Sequence, residues 1–156
     1  MKKVNPWYIT GIVEGEGCFS VSFTYREKLK LKIEVRPSFS LSLHRRDLQL
    51  LKLIRGYFRC GGIRYVRSDG TYKFEVRSLK DIVKKVIPHF EKYPLIGTKS
   101  KDFEIFREIC LKMQANLHRN KEHLIWIIEN AYKMNPSGKR KYKKEDLLRV
   151  LGGVKV

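Results

Sequence analysis

A chain of 156 residues with 42% hydrophobic and 12% aromatic content has the means to bury a core, which excludes a disordered tail or linker. Its 34 Lys and Arg against 16 Asp and Glu give a net charge of +18, which points to a polyanion, most simply nucleic acid, with mere solubility as the alternative. No apolar run approaches a membrane span, "MKKVNPWY" lacks the apolar core of a signal peptide, and Cys18, Cys60 and Cys110 show no C-x-x-C spacing, so we expect reduced thiols in an intracellular compartment and no membrane partner.

Asn5 as N-cap and Pro6 at the first helical position predict a helix running to about Glu16. Strands follow near 18–26 and 29–43, then a helix over 46–58 with apolar residues at 48, 50, 51, 54 and 58. After "RCGG" breaks the chain, two alternating runs around Asp69-Gly70 predict a hairpin. A third helix is expected over about 79–92, bent or shortened by Pro88. Helices over about 99–115 and 120–134 come next, then "NPSGKRKYKK" as a loop, and a short helix over 144–151 that stops at Gly152-Gly153. The order is helix, two strands, helix, two strands, helix, with additional C-terminal helices. It includes a weak strand-strand-helix repeat between residues 5–58 and 63–92. With no long linker, residues 1–156 are expected to form one α+β domain.

The first helix carries an unusual ending, "ITGIVEGEG". Trp7, Gly11 and Gly15 are spaced four apart and share one stripe. Each glycine costs about 1 kcal/mol relative to Ala in a helix, a cost that makes sense where a second backbone must approach closely. At the carboxyl end the macrodipole is negative and the last carbonyls lack intrahelical donors, so Lys or Arg would be favoured. The sequence instead supplies Glu14 and Glu16. Carboxylate beside free carbonyl oxygen suits a hard divalent cation such as Mg²⁺. Solvated acids before a Gly17 C-cap are the ordinary alternative. His44, His89, His118 and His123 form no H-x-x-x-H or H-E-x-x-H pair, which argues against zinc.

The strands that follow alternate. Phe19, Val21, Phe23 and Tyr25 face one way, and Ser20, Ser22, Thr24 and Arg26 the other. In the second strand Lys28, Lys30, Lys32, Glu34, Arg36, Ser38 and Ser40 oppose Leu29, Leu31, Ile33, Val35 and Phe39. In the fourth, Thr71, Lys73, Glu75 and Arg77 oppose Tyr72, Phe74 and Val76. A nine-residue strand over 28–36 would extend about 30 Å, close to one turn of a DNA groove at about 34 Å. The basic faces offer Arg and Lys for guanine, Glu for cytosine, and Ser and Thr for either edge. A simply solvated face competes with that reading. Arg64 and Arg67 of the third strand have opposite parity, so its register stays open.

"ITGIVEGEG" at 9–17, "CFSVSF" after it, "PLIGTKSKDFEIF" at 94–106 and the element order resemble the LAGLIDADG homing endonucleases. The resemblance implies that Glu16 and the carbonyl of Gly15 bind a catalytic Mg²⁺, with Mn²⁺ also supporting activity, while Glu14 is not a ligand. Lys99 resembles the basic residue placed near the scissile phosphate; Lys101 competes for that role. Since the chain has one copy of the motif, the resemblance implies a homodimer joined through Trp7, Gly11 and Gly15 of two motif helices. Double-stranded DNA would lie on the curved sheet, with Arg64, Arg67 and the polar faces above as its contacts. The implied activity is a metal-dependent double-strand break in a long, nearly palindromic target. An RNA-splicing maturase, or a DNA-binding regulator of the same fold without cleavage, are the alternatives. Where some family members carry Gln and Arg near the end of the second strand, this chain has Leu43, His44, Arg45 and Arg46, leaving that role unassigned.

Overall fold

The computed structural model of the chain describes residues 3–136 and 138–152; Ser137 of the expected loop and Gly153 of the expected stop lie outside them. The first helix, α1, spans Pro6–Glu16, with the Asn5 side chain accepting the Trp7 N–H as the N-cap requires. β1 (Gly17–Tyr25) and β2 (Ile33–His44) follow, then α2 (Leu48–Phe58) behind a single 3₁₀ turn. β3 (Gly62–Val66) and β4 (Thr71–Val76) form the expected hairpin. Its connection is four residues, with Gly70 left-handed at φ 63° and its N–H on the Val66 carbonyl.

The helical run expected over 79–92 is present in three pieces: α3 (Leu79–Asp81), a π-helical stretch Ile82–Val86 and α4 (Ile87–Lys92). Pro88 has no N–H to give to the preceding turn, and just before it the Ile87 N–H reaches five residues back to the Ile82 carbonyl. α5 (Lys99–Gln114), α6 (Lys121–Ala131) and α7 (Lys144–Gly152) complete the chain. Among the described residues no helix is long and apolar enough to cross a membrane.

The strands make one sheet in the order β1-β2-β4-β3. β4 runs antiparallel to both β2 and β3. Phe39 stands opposite Val76 and Ser40 opposite Glu75, while Arg64 stands opposite Lys73 and Gly62 opposite Glu75. This register resolves the third strand: Arg64 shares the polar face with Lys73 and Glu75.

Two expectations for the strands are corrected. β2 begins at Ile33, so Lys28, Lys30 and Lys32 lie in the turn before it. The Leu–Lys alternation of 28–32 imitates a strand, but Arg26 N–H bonds to the Lys32 carbonyl and Lys32 N–H to that of Leu29, closing a turn with Lys32 left-handed at φ 66°. Only 33–36 of the stretch 28–36 is strand. Arg67 likewise sits in the turn after β3.

The chain divides into two compact units, Met1–Phe19 with Ser38–Ser100, and Ser20–Pro37 with Lys101–Val156. The core of the first is aromatic. Phe19 stacks on Phe39 with ring centroids 5.2 Å apart, and Phe90 meets both rings edge-on at 5.3 and 5.6 Å. Ile9 and Val13 of α1 and Leu51, Ile54 and Phe58 of α2 are buried in the same unit. The second unit buries Val21 and Phe23 of β1, Phe106 and Ile109 of α5, Leu124, Ile127 and Ile128 of α6, and Leu147 of α7. There Arg140 donates to the Val21 carbonyl at 2.7 Å and lies over the Tyr132 ring, its carbon 4.4 Å from the centroid.

Candidate active site and nucleic-acid interface

α1 buries Ile9, Thr10 and Val13 and leaves Trp7, Tyr8, Gly11, Gly15 and Glu16 exposed. At Gly11 and Gly15 a Cβ would meet nothing within 4 Å, so the chain's own described atoms do not require glycine at either position. Gly17 differs. A Cβ there would fall 2.6 Å from Val13 Cγ1, so only glycine lets the chain turn from helix into β1 at this point.

The other side of α1 is fixed by a buried network. His89 of α4 holds Thr10 Oγ1 at 3.0 Å through Nε2 and the Tyr57 hydroxyl at 2.7 Å through Nδ1. Thr10 spends its only hydroxyl hydrogen on the Tyr93 carbonyl at 2.8 Å. Its oxygen therefore accepts from His89 Nε2–H, and Tyr57 donates to an unprotonated Nδ1. Burial favours the neutral imidazole and lowers its pKa to about 4. Neither Thr10 nor His89 stands out in the sequence as part of such a network; a lone histidine in a helix carries no spacing signal.

At the carboxyl end of α1, Lys99 of α5 donates from Nζ to the carbonyls of Val13 at 2.8 Å and Glu14 at 3.1 Å. The cation that a helix end favours is thus supplied by a residue far along the chain. The Glu14 carboxylate is turned aside to accept the N–H groups of Ile96 at 3.1 Å and Gly97 at 3.0 Å. A Cβ at Gly97 would come 3.2 Å from Glu14 Oε1, so glycine permits this close approach. Glu16 remains exposed in the last turn, where neither its own carbonyl nor that of Gly15 has an intrahelical donor. Lys101 is exposed. Among the described residues no three His, Cys, Asp or Glu side chains lie together as a ready metal cage. The exposed Glu16 carboxylate beside helix-end carbonyls supplies oxygen donors of the kind a hard divalent cation takes.

The polar face in the first unit carries Arg64, Lys73, Glu75 and Arg77, with Arg77 one residue past β4. Ser38 and Ser40 were expected to be exposed there and are instead buried. Ser38 Oγ donates to Glu75 Oε2 at 2.7 Å, and Ser40 pairs opposite Glu75 in the register. In the second unit, Ser22 is exposed and Ser20 and Thr24 are half-buried; Ser22 Oγ reaches the Arg36 carbonyl at 3.4 Å. Arg26 bonds to Glu34, and Arg36 stands 3.9 Å from the same carboxylate.

Residues 9–110 match the model of the LAGLIDADG endonuclease family. The "probable intron-encoded endonuclease 2" of Neurospora crassa is 35% identical over 85% of this chain, which spans 29% of that relative. The first three curated relatives matched are all longer proteins, of which the chain spans 29%, 26% and 25%. Among solved structures, the homing endonuclease I-TnaI superposes with a TM-score of 0.85 at 36% identity, covering 99% of this chain and 100% of that one. The I-LtrWI LAGLIDADG homing endonuclease bound to target DNA superposes with a TM-score of 0.84 at 34% identity, covering 90% of this chain and 47% of that one. By the extent of the family match and the identity carried across nearly its whole length, the chain belongs to the LAGLIDADG endonuclease family.

Proposed function

We propose that residues 1–156 form one endonuclease domain that pairs with an identical copy and makes a site-specific double-strand break in a long, nearly palindromic DNA. The observation that carries this reading is the end of α1, where exposed Glu16 stands two residues from the carbonyl that Lys99 holds. Family membership supplies the reaction class, and the likeness to a chain solved on target DNA supports the substrate. That this chain matches about half of the I-LtrWI chain, 47%, supports two such domains per working enzyme. Exposed Trp7, Gly11 and Gly15 supply a surface with no Cβ at the two glycines, against which a second α1 can pack closely.

Glu16 and the Gly15 carbonyl of each copy would hold Mg²⁺, which when bound supplies Lewis acidity to the scissile phosphate. The remaining work belongs to the chain. Water attacks phosphorus, the bond to the 3′ oxygen breaks, and the products are a 3′ hydroxyl and a 5′ phosphate. Lys99 has three N–H donors and gives two to carbonyls. Its third is directed by those two toward a phosphate oxygen or the attacking water, and its charge favours the growing negative charge of the transition state. Val13 and Glu14 thereby orient the lysine, and the loop that Glu14 grips carries it. The polar faces supply sequence discrimination through Arg26, Arg36, Arg64 and Arg77, and the lysines of the 26–32 turn contact phosphates.

The test is to incubate the protein with Mg²⁺ and a randomised duplex library and sequence the cut ends. Enrichment of one nearly palindromic site supports the reading. Ends scattered over all sequences, or no ends, contradict it.

A further inference from the structure

We infer that Glu75 is a positioning residue for specificity: it holds the side chains of Arg77 and Arg64 in place to read DNA bases and does not itself read one. The inference rests on the proposed base-reading role of the sheet. Glu75 lies on β4 with its side chain only 13% exposed, while Arg64 and Arg77 beside it are 58% and 61% exposed. Its Oε1 forms ion pairs with Arg77, whose Nε is 3.2 Å away, and with Arg64, whose Nη2 is 3.8 Å away; its Oε2 accepts the Ser38 hydroxyl at 2.7 Å and lies 3.8 Å from Lys73 Nζ. Both oxygens thus face protein cations or a hydroxyl, so the amino group of cytosine would have to compete with three ion pairs and a hydrogen bond for this carboxylate.

Arg77 is in the opposite condition, whereas Arg64 faces Glu75 with Nη2, one of its terminal nitrogens. The atom that Arg77 spends on Glu75 is Nε, so the contact does not consume its two terminal nitrogens, the fork that binds guanine O6 and N7 together. The register explains why an acid is needed here. Arg64 stands directly opposite Lys73, and like charges so placed repel and splay apart unless something neutralises them. Glu75 lies two residues along from Lys73 on the same face and contacts both cations. Opposite it on β3 is Gly62, and Gly62, Ile63, Arg64, Glu75 and Arg77 line an open depression of about 480 Å³ into which a base edge can reach. Burial works to raise the pKa of Glu75, but Ser38 and then Lys73, Arg77 and Arg64 outweigh it and hold the carboxyl below its usual range, so it stays ionised. The second unit repeats the arrangement with Glu34 between Arg26 and Arg36.

A carboxylate near DNA repels phosphate, so its two possible roles separate in sign. Glu75→Gln is tested in two ways, alongside Ser38→Ala, which loosens the carboxylate without removing its charge, and Arg64→Ala/Arg77→Ala. The first readout is binding selection from a randomised duplex library in Ca²⁺, with affinity measured on one fixed non-selected duplex. The second is the Arg77 Nε–H resonance of the free protein. For Glu75→Gln we expect about tenfold loss of discrimination at the positions that Arg64→Ala/Arg77→Ala also loses. Affinity for the fixed duplex should be unchanged or higher, and the Nε–H signal broadened or lost. Ser38→Ala should shift the same positions less. Added to Arg64→Ala/Arg77→Ala, Glu75→Gln should change nothing further. Loss of a cytosine preference that Arg64→Ala/Arg77→Ala retains would overturn the inference, and so would an unaltered Nε–H signal. If the wild type selects no sequence but Glu75→Gln still frees the Arg77 Nε–H, base reading fails while the anchoring of Arg77 by Glu75 stands.

Discussion

Lys99 closes the carboxyl end of α1 by donating to the carbonyl of Val13 at 2.8 Å. The same ammonium reaches the Glu14 carbonyl, so the cation missing from the last turn of the helix arrives from α5. Lys99→Met removes this charge while keeping the length of the stem. Cleavage should slow by about a hundredfold, the scale of losing one electrostatic donor, and DNA binding in Ca²⁺ should change little. Single-turnover cleavage by Lys99→Met at the wild-type rate would move the role to Lys101 or remove it.

Glu14 grips the backbone that carries Lys99, through the N–H groups of Ile96 and Gly97. Glu14→Ala should therefore expose both amides. Hydrogen exchange at Ile96 and Gly97 should quicken by about tenfold or more, as for any amide that loses a charged acceptor, with cleavage slowed because Lys99 is less well held. Unchanged exchange at both amides would show that the loop is fixed by other contacts.

His89 makes stability depend on pH. Its pKa is near 4 in the folded protein against an ordinary 6.5, so below 6.5 the unfolded chain takes up a proton that the folded one refuses. The stabilisation is complete above pH 6.5 and lost as pH falls toward 4, about 3 kcal/mol over that window at 1.36 kcal/mol per unit. Urea midpoints at pH 7 and pH 4.5 should differ accordingly, and His89→Phe should flatten the dependence. An equally steep fall in His89→Phe would assign the effect to other groups.

Gly15 separates folding from assembly. A Cβ there meets nothing within 4 Å among the described residues, so Gly15→Leu should fold at least as well as the wild type, gaining up to about 1 kcal/mol of helix propensity. In a pair of α1 helices the same side chain intrudes twice, at about 1–3 kcal/mol each. Sedimentation should show a folded monomer without cleavage activity. A fully active dimer would rule out close packing through this face.

Much of this arrangement was legible in the sequence where a local rule decided it. Asn5-Pro6 set the start of α1, Asp69-Gly70 marked the hairpin, and alternation placed Phe74 and Val76 in the core. Elsewhere a turn hydrogen bond, a covering neighbour or a distant partner overrides the local pattern. Leu–Lys alternation at 28–32 has the period of a strand, yet a turn hydrogen bond between Arg26 and Lys32 decided otherwise. Ser38 and Ser40 have the parity of an exposed face but are small, and neighbours such as Glu75 cover them. The Thr10–His89 network joins residues 79 apart, and neither side announces the other. The motif singled out Glu16 and Lys99 as candidates, whereas the contacts of Lys99 with the Val13 and Glu14 carbonyls and the pairing of Glu75 with Arg77 required the fold.

Cleavage by Glu16→Gln tests the central claim most directly. The substitution keeps the shape of the side chain and removes the charge proposed to hold Mg²⁺. The library-selected duplex should be cut by the wild type in Mg²⁺ and left intact by Glu16→Gln, while both bind it in Ca²⁺ within a few-fold. Cutting by Glu16→Gln at the wild-type rate would contradict the account.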